Sequence, residues 1–169
     1  MTLAELNALE PSAAAGAFSA CLAAPAWVAR MVLARPFASR DDVIGTAESA
    51  ADEILAGEWA AAIAHHPRIG EAHSVGTMSA RAGAWSAAEQ AGVGDTDDAT
   101  RAALARGNAA YEARFGHTFI VCATGKSAGD VLAALVARLS NDPITEQQVT
   151  AGELREIARL RLARLFADT

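Results

Sequence analysis

This sequence predicts an all-α fold: one compact domain of about eight helices, spanning residues 1–169, with a single extended connector. Three observations predict it. About a quarter of the 169 residues are alanine, the strongest helix former. β-Branched runs are scarce, with Phe119-Ile-Val-Cys-Ala123 the one strand-like stretch. Helix-start signatures of the Ser/Thr-x-x-acid or Pro-at-N1 type recur along the chain.

Taken in order, Thr2 with Glu5 opens a short first helix, and Pro11-Ser12 opens an alanine-rich second one. Pro25 leads into Trp27–Leu33, and Arg35-Pro36-Phe37 breaks the chain. Ser39 with Asp42 starts a helix predicted to run to about Ala56. Val43, Ala47, Ala50, Ala51, Ile54 and Leu55 keep helical spacing there. Glu58–His66 follows and is stopped by Pro67, and residues 68–80 read as an irregular loop. Arg81–Ala91 is helical and ends at Gly92-Val-Gly94. Thr96 starts a long helix to Phe115, with Gly116 at its C′ position. Phe119–Ala123 is too isolated to imply a sheet and is read as an extended connector. Ser127 to about Ser140 is helical, Asn141-Asp-Pro143 is a turn, and Thr145 with Gln148 caps a last helix to about Phe166.

Composition excludes several functions. A net charge of −6 lacks the Lys/Arg excess that neutralising a nucleic-acid backbone requires. No apolar run approaches the ~20 residues of a membrane span, and no basic leader is present, so a cytoplasmic protein is expected. Lys126 is the sole lysine, and phosphate-loop spacing around it fails. Cys21 and Cys122 sit among apolar or small neighbours and read as buried thiols, not a disulfide framework. The four histidines show no metal-ligand spacing, so no metal is expected.

Three features could carry chemistry. On the helix read as Glu58–His66, Trp59, Ile63 and His66 share one face, with His65 on another. His66 is therefore either a core histidine or a reactive group at an element end facing a loop. Ser86, Glu89 and Gln90 share a face at i, i+3 and i+4, either a solvated surface or a grip for a polar ligand. In the last helix, Arg161 falls within the apolar stripe of Leu154, Ile157 and Leu165, while Arg155 and Arg159 project elsewhere. A core-facing guanidinium needs a partner, so it serves an internal salt bridge or an anion site.

His66-Pro67-Arg68-Ile69-Gly70, Trp85-Ser86-Ala87-Ala88-Glu89-Gln90, Phe115-Gly116-His117-Thr118-Phe119-Ile120-Val121, Arg138-Leu139-Ser140-Asn141 and Ile157-Ala158-Arg159-Leu160-Arg161-Leu162 occur in that order. Together with Trp27-Val28-Ala29-Arg30 and Arg35-Pro36-Phe37, they resemble the 2-oxo-4-hydroxy-4-carboxy-5-ureidoimidazoline (OHCU) decarboxylases of urate degradation. The resemblance covers nearly the whole chain. It implies an all-helical domain that decarboxylates this ureidoimidazoline to (S)-allantoin without a cofactor. His66 and Glu89 then correspond to the catalytic pair. Ser86, Gln90 and Arg161 correspond to substrate-gripping side chains. Pro67 and the connector residues Ile120, Val121, Cys122, Ala123 and Thr124 correspond to main-chain substrate contacts. The resemblance also suggests a homodimer. Two rival readings are a hydrolase of an earlier ureide intermediate and a non-catalytic helical interaction module.

Overall fold

The computed structural model describes residues 1–54, 56–70, 79–94 and 96–167. Among them lie ten helices and no strand, two helices more than expected. They are α1 (Leu3–Ala8), α2 (Pro11–Cys21), α3 (Pro25–Leu33), α4 (Arg40–Asp52), α5 (Ala56–Ala64), α6 (Ala80–Glu89), α7 (Ala91–Gly94), α8 (Asp98–Phe115), α9 (Ala128–Arg138) and α10 (Pro143–Ala167). Residues 71–78 of the expected loop, with His73, and Leu55 of the expected fourth helix lie outside the described residues.

The caps explain most boundaries. Thr2 and Glu5 form a reciprocal capping box on α1, as Ser127 and Asp130 do on α9. Ser39 accepts from Asp42 N–H at the start of α4. Four boundaries correct the sequence reading. α4 stops at Asp52, not Ala56. α8 is capped by Asp97, whose carboxylate accepts from Thr100 N–H at 2.8 Å, and not by Thr96. α10 starts three residues early, because Pro143 suits the first helical position and Asp142 accepts from the N–H groups of Ile144 and Thr145, each at 3.0 Å. α5 ends at Ala64, leaving His65 and His66 outside it, since Pro67 disfavours helical backbone at the residue before it.

The chain forms two compact units, residues 1–62 with 155–169, and residues 63–154. In the first, Leu6, Phe18, Trp27, Met31 and Val43 are buried. Phe18 meets Trp27 and Phe37 edge to face, with centroids 6.2 Å apart in each pair. Trp27 Nε1 donates to Ala47 O at 2.9 Å, so burying the indole strands no donor. The Arg35 guanidinium donates to the C-terminal carbonyls of α1, Leu6 at 3.1 Å and Leu9 at 2.6 Å.

In the second unit, Ile69, Val93, Leu104, Tyr111, Phe119, Val121, Val131 and Leu135 form one apolar cluster. α8 packs closely on α9, since a Cβ at Gly107 would lie 2.5 Å from Leu135 Cδ2. The short α7 exists because Val93 is buried in this cluster; its Ala-Gly-Val-Gly sequence has little helical preference of its own. Cys21 and Cys122 are buried and form no disulfide.

Candidate active site

Two of the candidate segments, His66–Gly70 and the Phe119–Thr124 connector, are irregular backbone held by side chains of their own unit, whereas Ser86 and Glu89 lie on α6 and Arg161 on α10. His66 follows α5 in a turn closed by its own N–H on Ile63 O at 2.9 Å. Its ring is half-buried, with Nε2 shielded from solvent. The next residues are fastened to one face of α8. Ile69 is buried, and its carbonyl accepts from Asn108 Nδ2 at 3.0 Å. Arg68 forks onto Glu112, donating from Nε to Oε1 at 2.6 Å and from its Nη2 to Oε2. Gly70 takes φ +80°, where its hydrogen faces Leu104, and its N–H donates to Gln90 Oε1 at 3.2 Å. Leu104, Asn108 and Glu112 are four residues apart, so the single face they share seats Arg68, Ile69 and Gly70.

α6 is capped by Ser79, which accepts from Ala82 N–H at 3.2 Å. Ser86 and Glu89 are only 2% and 8% exposed, which rules out a solvated face. Trp85 is half-buried beneath the Arg81 guanidinium, 5.9 Å from the ring centroid. Gln90 terminates the helix with its side-chain oxygen committed to Gly70 N–H, which leaves its amide NH2 as the end that can meet a ligand. One hydrogen bond thus joins the His66 segment to the Ser86–Gln90 segment.

The connector runs without strand pairing from Phe119 to Ala123, and all five residues are buried, while Thr124 is exposed. Side chains hold three of its backbone groups instead. Ile120 O accepts from Arg138 Nη1 at 2.7 Å, Cys122 N–H donates to Glu153 Oε2 at 2.7 Å, and Cys122 O accepts from Lys126 Nζ at 2.5 Å. Lys126 N–H closes a turn on Ala123 O at 3.0 Å. Val121 N–H and C=O have no partner among the described residues. Arg138 is itself paired with the fully buried Glu146, donating to Oε1 from Nε at 2.8 Å and from Nη2 at 2.5 Å. Tyr111 O–H also donates to Glu146, as does Asn141 Nδ2 at 2.7 Å. Burial, then the Glu146 carboxylate, push the Tyr111 phenol up to about 12. Burial also opposes ionisation of Glu146, but hydrogen bonds from Arg138, Tyr111 and Asn141 outweigh it and hold the carboxyl below its ordinary 4.5.

Arg161 belongs to the first unit. It is 3% exposed, lies on α10 between the buried Ile157 and Leu165, and donates from Nη1 to Ala20 O at 3.2 Å. Its neighbours behave as the spacing predicts: Arg155 is exposed and paired with Asp52 at 3.1 Å, and Arg159 is exposed and paired with Glu156 at 2.7 Å. Sequence reasoning missed Asn108, Glu112, Glu146 and Glu153, which hold the candidate segments without belonging to them. Among the described residues, no three His, Cys, Asp or Glu side chains gather closely enough to hold a metal ion. None of their helices is long and apolar enough to cross a membrane.

The described residues define an all-α protein with buried polar groups converging on irregular backbone. The family model described as OHCU decarboxylase matches residues 7–163. The 2-oxo-4-hydroxy-4-carboxy-5-ureidoimidazoline decarboxylase of Amia calva is 32% identical over 133 residues, covering 76% of this chain and 73% of the relative. A uric acid degradation bifunctional protein of Arabidopsis thaliana is 28% identical over 148 residues, covering 88% of this chain; the chain spans 46% of that longer protein. Among solved structures, an OHCU decarboxylase crystallised in the presence of (S)-allantoin superposes with a TM-score of 0.76 at 27% identity, covering 90% of this chain and 99% of that one. The chain belongs to the OHCU decarboxylase family.

Proposed function

We propose that this protein decarboxylates 2-oxo-4-hydroxy-4-carboxy-5-ureidoimidazoline to (S)-allantoin, with His66 and Glu89 as the catalytic pair. Residues 1–169 act as one catalytic domain in this reading, which the family match supports by running unbroken from 7 to 163. The observation that carries it is the hydrogen bond from Gly70 N–H to Gln90, because it joins the segment of His66 to the segment of Glu89.

The residue types suit the chemistry. The substrate carries its carboxylate on a hydroxyl-bearing ring carbon beside a C=N bond. When the bond to the carboxylate breaks and CO2 leaves, the electron pair passes into that C=N system, so the substrate is its own electron sink. The protein has to orient the carboxylate, stabilise the developing charge and deliver one proton to one ring face. His66 polarises or deprotonates the hydroxyl, whose carbon becomes the ring carbonyl while the new C–H forms on the neighbouring carbon of the former C=N bond, and Glu89 fixes the imidazole or the substrate in place. Ser86 and the Gln90 NH2 bind polar edges of the substrate. Val121 N–H and C=O offer one donor and one acceptor to a ureide amide, alongside main-chain contacts at Pro67, Ile120, Cys122, Ala123 and Thr124. The Arg161 guanidinium binds an anionic group through its planar fork. A cytoplasmic homodimer completes the proposal. Cysteines that form no disulfide, Cys21 and Cys122, suit a reducing compartment.

The test generates OHCU from urate with upstream enzymes and follows the optical rotation of the product. Rapid formation of (S)-allantoin with release of CO2 is expected. Racemic allantoin formed at the uncatalysed rate would reject the proposal.

A further inference from the structure

The Arg138-Leu139-Ser140-Asn141 stretch closes α9, and no step above uses its arginine. Arg138 is 7% exposed and belongs to a dense network. Besides its two bonds to Glu146, it donates from Nη2 to Thr150 Oγ1 at 2.9 Å, and its guanidinium lies 4.7 Å from the Phe119 ring centroid. Its remaining arm ends on Ile120 O at 2.7 Å. A buried ion pair is weak evidence for stability, since apolar side chains of similar volume often do as well. What apolar side chains cannot do is hold a backbone carbonyl. Two residues further on, Glu153 takes Cys122 N–H at 2.7 Å. In extended backbone, alternate residues turn their N–H and C=O to opposite sides. Between the held Ile120 C=O and Cys122 N–H, the Val121 N–H and C=O have no partner among the described residues.

We propose that Arg138 is a positioning residue: by holding Ile120 C=O, and backed by Glu146, it sets the register in which Val121 presents its donor and acceptor to the ureide edge of the substrate, resting on the reading above of the connector as a substrate contact. The role makes a kinetic demand that structural support alone does not. A misplaced connector weakens ground-state and transition-state binding alike, which raises KM more than it lowers kcat. Simple loss of folded protein lowers apparent kcat and leaves KM unchanged.

Two variants of the full chain test this. Arg138→Lys keeps the charge beside Glu146 but cannot reach Glu146, Thr150 and Ile120 O together. The double variant Arg138→Met with Glu146→Met removes the ion pair while preserving volume. For each, KM and kcat per folded molecule are measured on OHCU, and amide hydrogen exchange is followed across residues 119–124. KM is expected to rise at least about tenfold, with kcat changed less and exchange faster at Cys122 than in the parent. An unchanged KM in either folded variant overturns the proposal, and so does failure of both to fold, which would assign the network to folding alone. If the unmodified protein makes no (S)-allantoin, the functional reading fails and takes the proposal with it. An active parent with unmoved variants fails the proposal alone.

Discussion

Gly92→Ala tests how closely α7 must approach the end of the connector. A Cβ at Gly92 would sit 2.7 Å from Lys126 O and 3.7 Å from Lys126 C. That oxygen is backbone and cannot rotate aside. Its residue closes the turn on Ala123 O and caps Cys122 O through Nζ, and the next residue, Ser127, caps α9. Relieving the contact to an ordinary 3.4 Å requires a shift of about 0.7 Å between the Gln90–Gly94 turn and the connector. Overpacking of this kind costs about 1–3 kcal/mol, and the better helix propensity of alanine returns up to about 1. A net loss of about 1–2 kcal/mol lowers Tm by roughly 2–8 °C in a chain of this size. Because Glu89 and Gln90 immediately precede the displaced turn, kcat/KM should fall about tenfold or more, against roughly 100-fold for a 1 Å misplacement. Gly94→Ala is the control, since nothing lies within 4 Å of a Cβ there. Calorimetry and initial rates on both variants decide the matter. Equal Tm and equal kcat/KM in the two would refute the claim that this approach positions the site.

Replacing His66 by Asn should lower turnover about 10²–10⁴-fold in a protein that still melts cooperatively, whereas the exposed His65→Ala should be nearly silent; equal losses would count against His66. Arg161→Lys keeps a cation near Ala20 O but loses the planar fork, so kcat/KM should drop with little change in Tm, with Arg159→Ala as control. A lower Tm with normal turnover per folded molecule would leave Arg161 a packing residue. Because Glu146 titrates below 4.5 when folded, its pairing stabilises fully above that pH and is lost as pH falls through the depressed value; Glu146→Gln should flatten the acid limb of Tm against pH. Tyr111 works in the opposite sense, its contribution being complete below pH 10 and lost as pH rises through about 12, a limb that Tyr111→Phe should remove. Purified enzyme should keep its activity in EDTA; activity restored only by added metal would favour the hydrolase reading.

What the sequence made legible was local. Thr2 with Glu5, Ser39 with Asp42 and the Ser127 start could be read because capping acts over three residues. The errors came where two local signals competed. Thr96 and Asp97 both suit an N-cap, and the aspartate prevails. Thr145 has capping character, but Pro143 at the first helical position puts the start earlier. His66 has the right spacing for the α5 face, yet spacing takes no account of the backbone restriction that Pro67 places on it. At the candidate site, the Ser86–Glu89 face was visible as a pattern, but whether it is buried depends on the fold. Asn108 on Ile69, Glu112 on Arg68 and Glu153 on Cys122 are partners 39, 44 and 31 residues apart, and a single sequence carries no signal that joins them.

Those distant partners answer one physical requirement. Irregular backbone that is buried must have its N–H and C=O groups satisfied, and a helical protein has no sheet edge to supply partners. Here the partners are long side chains on regular helices. Asn108 and Glu112 on α8, with Gln90, hold Arg68, Ile69 and Gly70, while Arg138 on α9 and Glu153 on α10 hold the connector. A neighbouring strand on either side would have paired alternate residues there too, but it would also have fixed the connector into a ladder that a second strand could extend. Single side chains hold Ile120 C=O and both backbone groups of Cys122, and Val121, between them, has no backbone partner among the described residues. Charged side chains suit this task better than neutral ones, because hydrogen bonds with one ionised partner are about twice as strong and tolerate no slack. The buried Glu146 follows from that choice. Once an arginine is committed to a backbone carbonyl in the interior, its charge needs a carboxylate, and that carboxylate needs the remaining donors of Tyr111 and Asn141.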